Sequence, residues 1–385
     1  MIHRCSRHLA SLLLPLLLTA CDWFAPEPPP PPPAEPGIGK AVPWTALPGW
    51  ERDRLVEAWP AVLAQCPRMV RKGESPWRAL CDAARRVDGD SEAAIRAFLM
   101  QWFEPHVVAG RGGDTEGLIT GYYQPILHGS RTRSEKYRYP LYRRPDSLLR
   151  IELDALFPEL KGKRVRGRLE GHRVVPYFDR AAIDGEQRPL EGHELLWLDD
   201  PWDGFFLQIQ GSGKVRLDDG SVVGVSYADQ NGHPYVSIGR KLAEWGELPL
   251  EQVSMFAIRR WLDANPDKAQ KLLNENPSYV FFTLRENADE NPRGSLNVPL
   301  TDLRSIAVDR RVIPLGSLVW LDTLYPDGRP LQRLMLAQDT GGAIKGHVRA
   351  DVFFGTGDEA ERLASSMKHP GRLYLLMPKT APAPP

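Results

Sequence analysis

Residues 334–342, LMLAQDTGG, place an apolar run directly before an aspartate that a threonine separates from a pair of glycines. The apolar residues favour a buried strand, and Asp339 stands where that strand would end. Gly341 and Gly342 allow a tight turn and a close approach of the backbone to a ligand. We therefore expect Asp339 at the end of a strand, facing a Gly-Gly turn.

Two more aspartates occur in apolar surroundings nearby. Asp309 follows one apolar stretch, and Asp351 interrupts another. Each alone could be a turn or capping residue, but lone buried carboxylates are costly, so three together suggest a shared site. If Asp309 or Asp351 folds beside Asp339, like charge and burial would raise the pKa of Asp339 and keep it protonated. If Lys345 folds close to Asp339, its positive charge would instead lower the pKa of Asp339.

The motifs of common nucleophiles and metal sites are absent from the sequence. There is no G-x-S-x-G, H-E-x-x-H or C-x-x-C, and the nine histidines show no spacing typical of metal ligands. The triplet 339–341, Asp-Thr-Gly, also occurs in aspartic proteases, but those need two such triplets and this chain has one. We therefore expect neither a metal site nor a protease.

Composition limits the class of protein. The 385 residues correspond to two or three domains. Equal numbers of basic and acidic residues, 49 each, argue against a nucleic-acid partner. The 33 glycines and 36 prolines favour short strands joined by tight turns over a helical bundle.

The N-terminus has the pattern of an exported protein. Arg4 and Arg7 precede the apolar residues 9–20, a core too short to span a membrane but typical of a secretory signal. It ends in Leu-Thr-Ala-Cys, which resembles the lipobox of bacterial lipoproteins and predicts lipidation of Cys21. An ordinary signal peptide is the alternative. The proline-rich residues 26–36 predict a spacer, either extended polyproline II or disordered.

Two cysteines remain for a disulfide. Cys5 belongs to the signal and Cys21 to the anchor, which leaves Cys66 and Cys81, fifteen positions apart, in a compartment that permits disulfides. Closing that loop would contribute about 3 kcal/mol in the chain-entropy model. Two separate buried thiols are the alternative.

Helical spacing occurs in three places. Ser91 can cap a helix whose apolar residues recur every three or four positions. Residues 251–274 predict two helices divided by Asn265 and Pro266, and Asp358 can cap a late helix. Short apolar runs predict strands at residues 205–210, 214–217, 222–227, 279–284, 318–321, 334–338 and 372–377.

Several motifs together carry a family resemblance. They are GYYQP (121–125), QIQGSG (208–213), YADQNG (227–232), NPSY (276–279) and DTGGAIKG (339–346), with Asp309 and Asp351. With them the chain resembles the membrane-bound lytic murein transglycosylase A family over residues 104–377. Its closing part resembles the domain named for three aspartates.

The resemblance implies a mainly β fold with flanking helices. The C-terminal region would build a double-psi β-barrel that earlier residues complete. A second β-barrel would be inserted, with the glycan in the groove between the two. The expected parts are a signal peptide (1–20), an anchor and linker (21–48), a helical N-terminal part (49–125), the inserted barrel (126–265) and the three-aspartate barrel (266–379).

The resemblance also implies an exo-acting lyase that cleaves the MurNAc–GlcNAc β-1,4 bond of peptidoglycan and forms a 1,6-anhydro end, without metal or cofactor. Asp339 would be the catalytic acid and base, supported by Asp351 and Asp309. Residues expected to contact the glycan are Gln208, Gln210, Ser212, Tyr122, Tyr123 and Lys345.

Two other functions stay open on the same scaffold. One is a hydrolytic muramidase, which leaves a reducing end, and the other is a non-catalytic peptidoglycan-binding lipoprotein. In each case the expected partners are peptidoglycan strands and, through Cys21, a membrane. The family implies the periplasmic face of the outer membrane, although Asp22 resembles an inner-membrane retention signal.

Overall fold

The computed structural model describes residues 36–71, 76–285 and 287–379. The expected signal peptide, the lipidated Cys21 and almost all of the proline-rich spacer lie outside these residues. Within the described ranges, no helix is long and apolar enough to cross a membrane.

The helices largely follow the sequence pattern. They are α1 (Trp59–Arg71), α2 (Trp77–Ala84), α3 (Glu92–Trp102), α4 (Arg180–Asp184), α5 (Asp203–Gln210), α6 (Ile238–Glu244), α7 (Met255–Ala264), α8 (Pro266–Asn274) and α9 (Asp358–Ser366). Ser91 caps α3 by accepting a hydrogen bond from the Ala94 N–H, as predicted. The capping prediction for Asp358 is wrong, because Gly357 precedes α9 and Asp358 is its first residue.

The strands fall into three sheets. They are β1 (Gly37–Ala41), β2 (Phe103–Ala109), β3 (Gly117–Gln124), β4 (Ile126–Ser130), β5 (Tyr139–Tyr142), β6 (Leu149–Arg150), β7 (Arg166–Glu170), β8 (Arg173–Val175), β9 (Glu194–Leu198), β10 (Ser212–Leu217), β11 (Val222–Gln230), β12 (Val280–Arg285), β13 (Ser305–Val308), β14 (Leu318–Leu324), β15 (Pro330–Asp339), β16 (Arg349–Thr356) and β17 (Lys368–Pro378).

The largest sheet closes into a barrel. Its order is β1-β2-β17-β14-β15-β13-β16-β3, and β17 also pairs with β3. The six strands from β17 to β3 therefore form a ring, which we call the C-terminal barrel, and β1 and β2 extend it. Ile306, Val319, Met335 and Val352 are among the apolar side chains of its core.

The second sheet forms the insert barrel, with the order β12-β11-β10-β4-β9-β5. A bridge between Arg143, just after β5, and Phe282 of β12 joins its two edges. A turn at Asp219 and Gly220 links β10 to β11. Because β12 pairs with β11, this barrel extends to Arg285, about twenty residues beyond the boundary expected at residue 265. The third sheet, β6-β7-β8, is a small one.

The strand predicted over residues 205–210 is wrong, because these residues form helix α5. The buried side chains of Phe205, Phe206 and Leu207 make a short apolar run, which periodicity alone cannot assign to strand or helix. Gly211, at φ +81°, ends α5 in the left-handed conformation typical of helix C-termini.

The helical N-terminal part packs on the C-terminal barrel. Trp50 and Trp59 lie in one buried cluster with Trp320 of β14. A disulfide joins Cys66 of α1 to Cys81 of α2, with a Cα–Cα distance of 5.7 Å, so that prediction is confirmed. The disulfide holds α1 and α2 together beside the barrel.

Candidate active site

The C-terminal barrel brings two of the three aspartates into one row. In the ladder, Ala307 of β13 pairs with Asp339 of β15 on one side and with Asp351 of β16 on the other. Thr120 of β3 pairs with Asp351 and extends the row. Side chains opposite each other in a ladder point to the same face. We call Thr120, Asp351, Ala307 and Asp339 the carboxyl row, in which the small Ala307 separates the two acids.

Asp339 is held by four hydrogen bonds. Its Oδ1 accepts from the backbone N–H of Ser295 at 2.9 Å, from the Ser295 hydroxyl at 2.9 Å and from the Thr340 N–H at 2.8 Å. Its Oδ2 accepts from the Tyr122 hydroxyl at 3.1 Å. Burial nevertheless raises the pKa of Asp339 above its ordinary value, against the effect of these donors.

Asp351 has fewer donors, and no cation of the described residues forms an ion pair with it. The Thr120 hydroxyl donates to its Oδ1 at 2.5 Å, and Arg349 Nη2 donates to Thr120 Oγ1 at 2.8 Å. Burial raises the pKa of Asp351, Arg349 opposes that change, and the charge of Asp339 raises it further. The carboxyl row therefore retains a proton at pH values where isolated carboxylates have lost theirs.

Asp309 has a different environment. It directly follows β13, is 3% exposed, and accepts hydrogen bonds from the Arg311 side chain and from the Gly346 N–H at 3.1 Å. The Arg311 guanidinium holds the pKa of Asp309 well below its ordinary range. We call Asp309, Arg311 and Gly346 the Asp309 corner. Its carboxylate stays ionised and ties the turn after Asp339 to the end of β13.

The two tyrosines of GYYQP are buried. Tyr122 is 8% exposed, and its ring lies 5.2 Å from that of Phe353 while its hydroxyl contacts Asp339. Tyr123 is 4% exposed and belongs to the barrel core. Both rings lie mostly within the barrel, and the expected contact of Tyr122 and Tyr123 with glycan stays a prediction. Tyr122 acts on the carboxyl of Asp339.

Gln208 and Gln210 both lie on helix α5, where their side chains bind other parts of the protein. Gln208 Oε1 accepts from Arg180 Nη2 at 2.7 Å and from the Val280 N–H at 3.2 Å. Gln210 Oε1 accepts from the Tyr123 N–H at 3.0 Å. Gln210 thus links the insert barrel to β3, one residue from the tyrosine that contacts Asp339.

The remaining two candidates lie elsewhere. Ser212 is the first residue of β10 and pairs with Ser226 of β11. Lys345 is exposed in the segment between Asp339 and β16. No hydrogen bond joins Ser212 or Lys345 to the carboxyl row in the described part of the chain, and their contact with glycan stays a prediction.

Sequence reasoning missed Ser295, Thr120 and Arg349. Ser295 reaches Asp339 across 44 positions of the chain, and no periodic pattern marks it. The one sequence feature beside it is the preceding glycine, Gly294. In the structure, a Cβ at Gly294 would lie only 2.5 Å from the carbonyl oxygen of Gln338. This glycine allows the segment to approach β15 closely enough for Ser295 to contact the acid.

Across residues 36–71, 76–285 and 287–379, no three side chains of His, Cys, Asp or Glu group closely enough to hold a metal ion. The chemistry that the described geometry supports is proton transfer by carboxyl groups. Its reactive part is the carboxyl row, and the Asp309 corner supports the adjacent turn.

Comparison with known proteins yields consistent matches. Residues 118–283 match the family model described as the MltA specific insert domain, and residues 304–377 match the 3D domain. The first match ends close to the last residue of β12. It thus agrees with the end of the insert barrel, whereas its start, at residue 118, lies in β3 of the C-terminal barrel.

Membrane-bound lytic murein transglycosylase A of Escherichia coli (strain K12) is 35% identical over 281 residues, which cover 70% of this chain and 68% of that protein. The structure of MltA from Neisseria gonorrhoeae is 34% identical, with a TM-score of 0.75 over 91% of this chain and 98% of that one. That of E. coli MltA with bound chitohexaose is 27% identical, with a TM-score of 0.67 over 91% and 96%.

Proposed function

Since this chain belongs to the membrane-bound lytic murein transglycosylase A family, we propose that its peptidoglycan-cleaving lytic transglycosylase activity depends on one carboxylic acid, Asp339. The observation that carries this proposal is the environment of Asp339, a carboxyl whose pKa burial raises and whose two oxygens are both fixed by donors. A positioned, protonated carboxyl is what a general acid requires.

The reaction needs a single acid because the substrate supplies the nucleophile. Asp339 donates its proton to the glycosidic oxygen as the bond from C1 of MurNAc to that oxygen breaks. The C6 hydroxyl of the same MurNAc then forms a bond to C1, and its proton passes to Asp339, which returns to its starting state. The product is a 1,6-anhydro end, and no water is consumed. Intramolecular attack has a large effective-molarity advantage.

The same environment argues against hydrolysis. Hydrolytic glycosidases use a second carboxylate to activate water or to attack the sugar. The second carboxyl here, Asp351, is separated from Asp339 by Ala307 in the ladder, and its Oδ1 is engaged by Thr120. Asp309 is ionised, but it is committed to Arg311 and Gly346. Neither is suited to act as a base toward water.

The substrate is a glycan strand of peptidoglycan, bound between the two barrels. E. coli MltA with bound chitohexaose supports an amino-sugar polymer as the ligand class. In this chain, Tyr235 of the insert lies against Gly342, three residues after Asp339, since a Cβ at Gly342 would be 3.7 Å from Tyr235 Cβ. The insert therefore reaches the turn beside the acid.

The relatives are named as membrane-bound, and in this chain we attribute the attachment to lipidation of Cys21, at the periplasmic face of the outer membrane. Replacing Cys21 with Ala should release the protein into the soluble periplasmic fraction, because residues 9–20 are too short an apolar core to span a bilayer. Unchanged membrane fractionation of Cys21→Ala would contradict this attachment.

Product analysis tests the function. The chain from residue 36 onward, incubated with purified sacculi, should release muropeptides with 1,6-anhydro ends, identified by mass. Reducing ends would indicate a hydrolytic muramidase instead. Binding to sacculi without any release would indicate a non-catalytic peptidoglycan-binding protein.

A further inference from the structure

A cleft of about 320 Å³ lies beside the acid and has no part in the mechanism above. Its lining residues are Arg68, Arg71, Ser295, Leu296 and Leu315. Ser295 is the residue that donates two hydrogen bonds to Asp339. The cleft and the reactive carboxyl thus share one side chain, so a ligand group in the cleft would be adjacent to the reaction.

Helix α1, which supplies both arginines, is fixed against the C-terminal barrel. Gln65 Nε2 donates to the Gly316 carbonyl oxygen at 2.9 Å, and Gln65 Oε1 accepts from Gln338, the residue before Asp339, at 3.4 Å. The disulfide from Cys66 to α2 holds the same turn of the helix. The last turn of α1 is therefore preorganised beside the acid.

The cleft has two cationic side chains. Arg68 and Arg71 are three residues apart, which places them on the same helix face. Among the described carboxylates, none forms an ion pair with either. Arg71 uses one N–H, its Nε, to donate to the Pro67 carbonyl oxygen at 3.2 Å. Arginines in the last turn of a helix also stabilise it by interacting with the helix dipole. This stabilisation alone would not require both arginines to line one cleft with Ser295.

Guanidinium groups bind carboxylates well, because their planar donors match the two carboxylate oxygens. The glycan substrate carries carboxylates on the peptide that is joined by an amide bond to the lactyl group of MurNAc. Where that peptide is absent, the lactyl group itself carries a free carboxylate. We propose that Arg68 and Arg71 bind a carboxylate of this lactyl-peptide arm while the glycan lies at Asp339. This inference rests on the proposed function and adds which feature of the substrate is recognised.

Binding, rather than cleavage, gives the cleanest test. In the Asp339→Asn background the glycan stays intact, so dissociation constants can be measured for three ligands. They are peptide-bearing glycan strands, strands stripped of peptide that keep the lactyl carboxylate, and chitohexaose, which has no carboxylate. The variant is Arg68→Gln with Arg71→Gln. The matched control is Arg78→Gln, an exposed arginine of α2 outside the cleft.

The double variant should weaken binding of the carboxylate-bearing ligand by about tenfold, equivalent to 1.4 kcal/mol, and leave chitohexaose and the control unchanged. Loss only with peptide-bearing strands assigns a peptide carboxylate, and loss only with stripped strands assigns the free lactyl carboxylate. Equal loss with both shows that the two arginines bind either carboxylate of the arm. Unchanged affinity for all three ligands, or the same loss for all three, would overturn the inference alone. If Asp339→Asn itself cleaves the strands, the proposed mechanism fails instead.

Discussion

The Asp309 corner and the carboxyl row lie at neighbouring strands of one barrel, yet their carboxyls differ in charge. Asp309 and Asp339 both accept several hydrogen bonds. Asp309 also has a guanidinium at 2.6 Å. Among the described residues, no cation forms an ion pair with Asp339, and its charge raises the pKa of Asp351 across Ala307. The number of donors therefore does not set the protonation state here. A paired cation lowers the pKa of one acid, and burial without such a cation raises that of the other.

The largest expected effect is on catalysis by the carboxyl row. Asp339→Asn keeps the size of the side chain but cannot donate and recover a proton. General acid–base catalysis contributes about 10²- to 10⁴-fold, so release of 1,6-anhydro muropeptides from sacculi should fall by at least that order. Asp327→Asn, in an exposed turn between β14 and β15, is the matched control. Near-wild-type release by folded Asp339→Asn would move the search to Asp351 and then Asp309.

A smaller effect is expected at Tyr122, whose hydroxyl stabilises the ionised form of Asp339. Tyr122→Phe removes this donor, so the pKa of Asp339 should rise and the alkaline limb of the pH–rate profile should move to higher pH. We expect kcat to fall by about 10- to 150-fold, because a hydrogen bond to a charged group is worth about 1.5–3 kcal/mol. Tyr123→Phe, in the core, is the control, and identical profiles for both variants would contradict the role of Tyr122.

The smallest expected effect is on the free energy of unfolding. Its sign differs between a substitution in the Asp309 corner and one in the carboxyl row. The lowered pKa of Asp309 stabilises the fold above about pH 4, and this contribution is lost as the pH falls toward the folded-state value. Asp309→Asn should therefore cost about 1 kcal/mol at pH 7, with the gap narrowing in acid. Asp339→Asn should be as stable as wild type or more stable at pH 7, because a raised pKa destabilises the ionised form. Chemical denaturation at pH 7 and in acid measures the free energy of unfolding of each variant. An Asp309→Asn protein more stable than wild type at pH 7 would contradict the stabilising role of Asp309.

Local pattern predicted much of the fold, and long-range contacts explain what it missed. The run 334–338 lies in β15, as its apolar residues indicate, and Asp339 ends that strand. The run at 205–210 is also apolar but forms a helix. Its Phe205 and Phe206 pack with α6, α7 and α8, and its Leu207 packs in the core of the insert barrel. Arg311 could have been recognised as a partner of Asp309 two residues away, whereas Ser295 and Thr120 reach their aspartates only through the folded barrel.

Titration of individual carboxyls by NMR, in protein labelled with ¹³C-aspartate, tests directly whether Asp339 holds a proton while Asp309 is ionised. The signal missing from Asp339→Asn should titrate above the ordinary aspartate value of about 3.9, and the signal missing from Asp309→Asn should remain ionised to well below it. Such a result would place the exchangeable proton in the carboxyl row. If the Asp339 carboxyl instead remains ionised down to below pH 3.9, it has no proton to donate, and Asp339 is not the general acid.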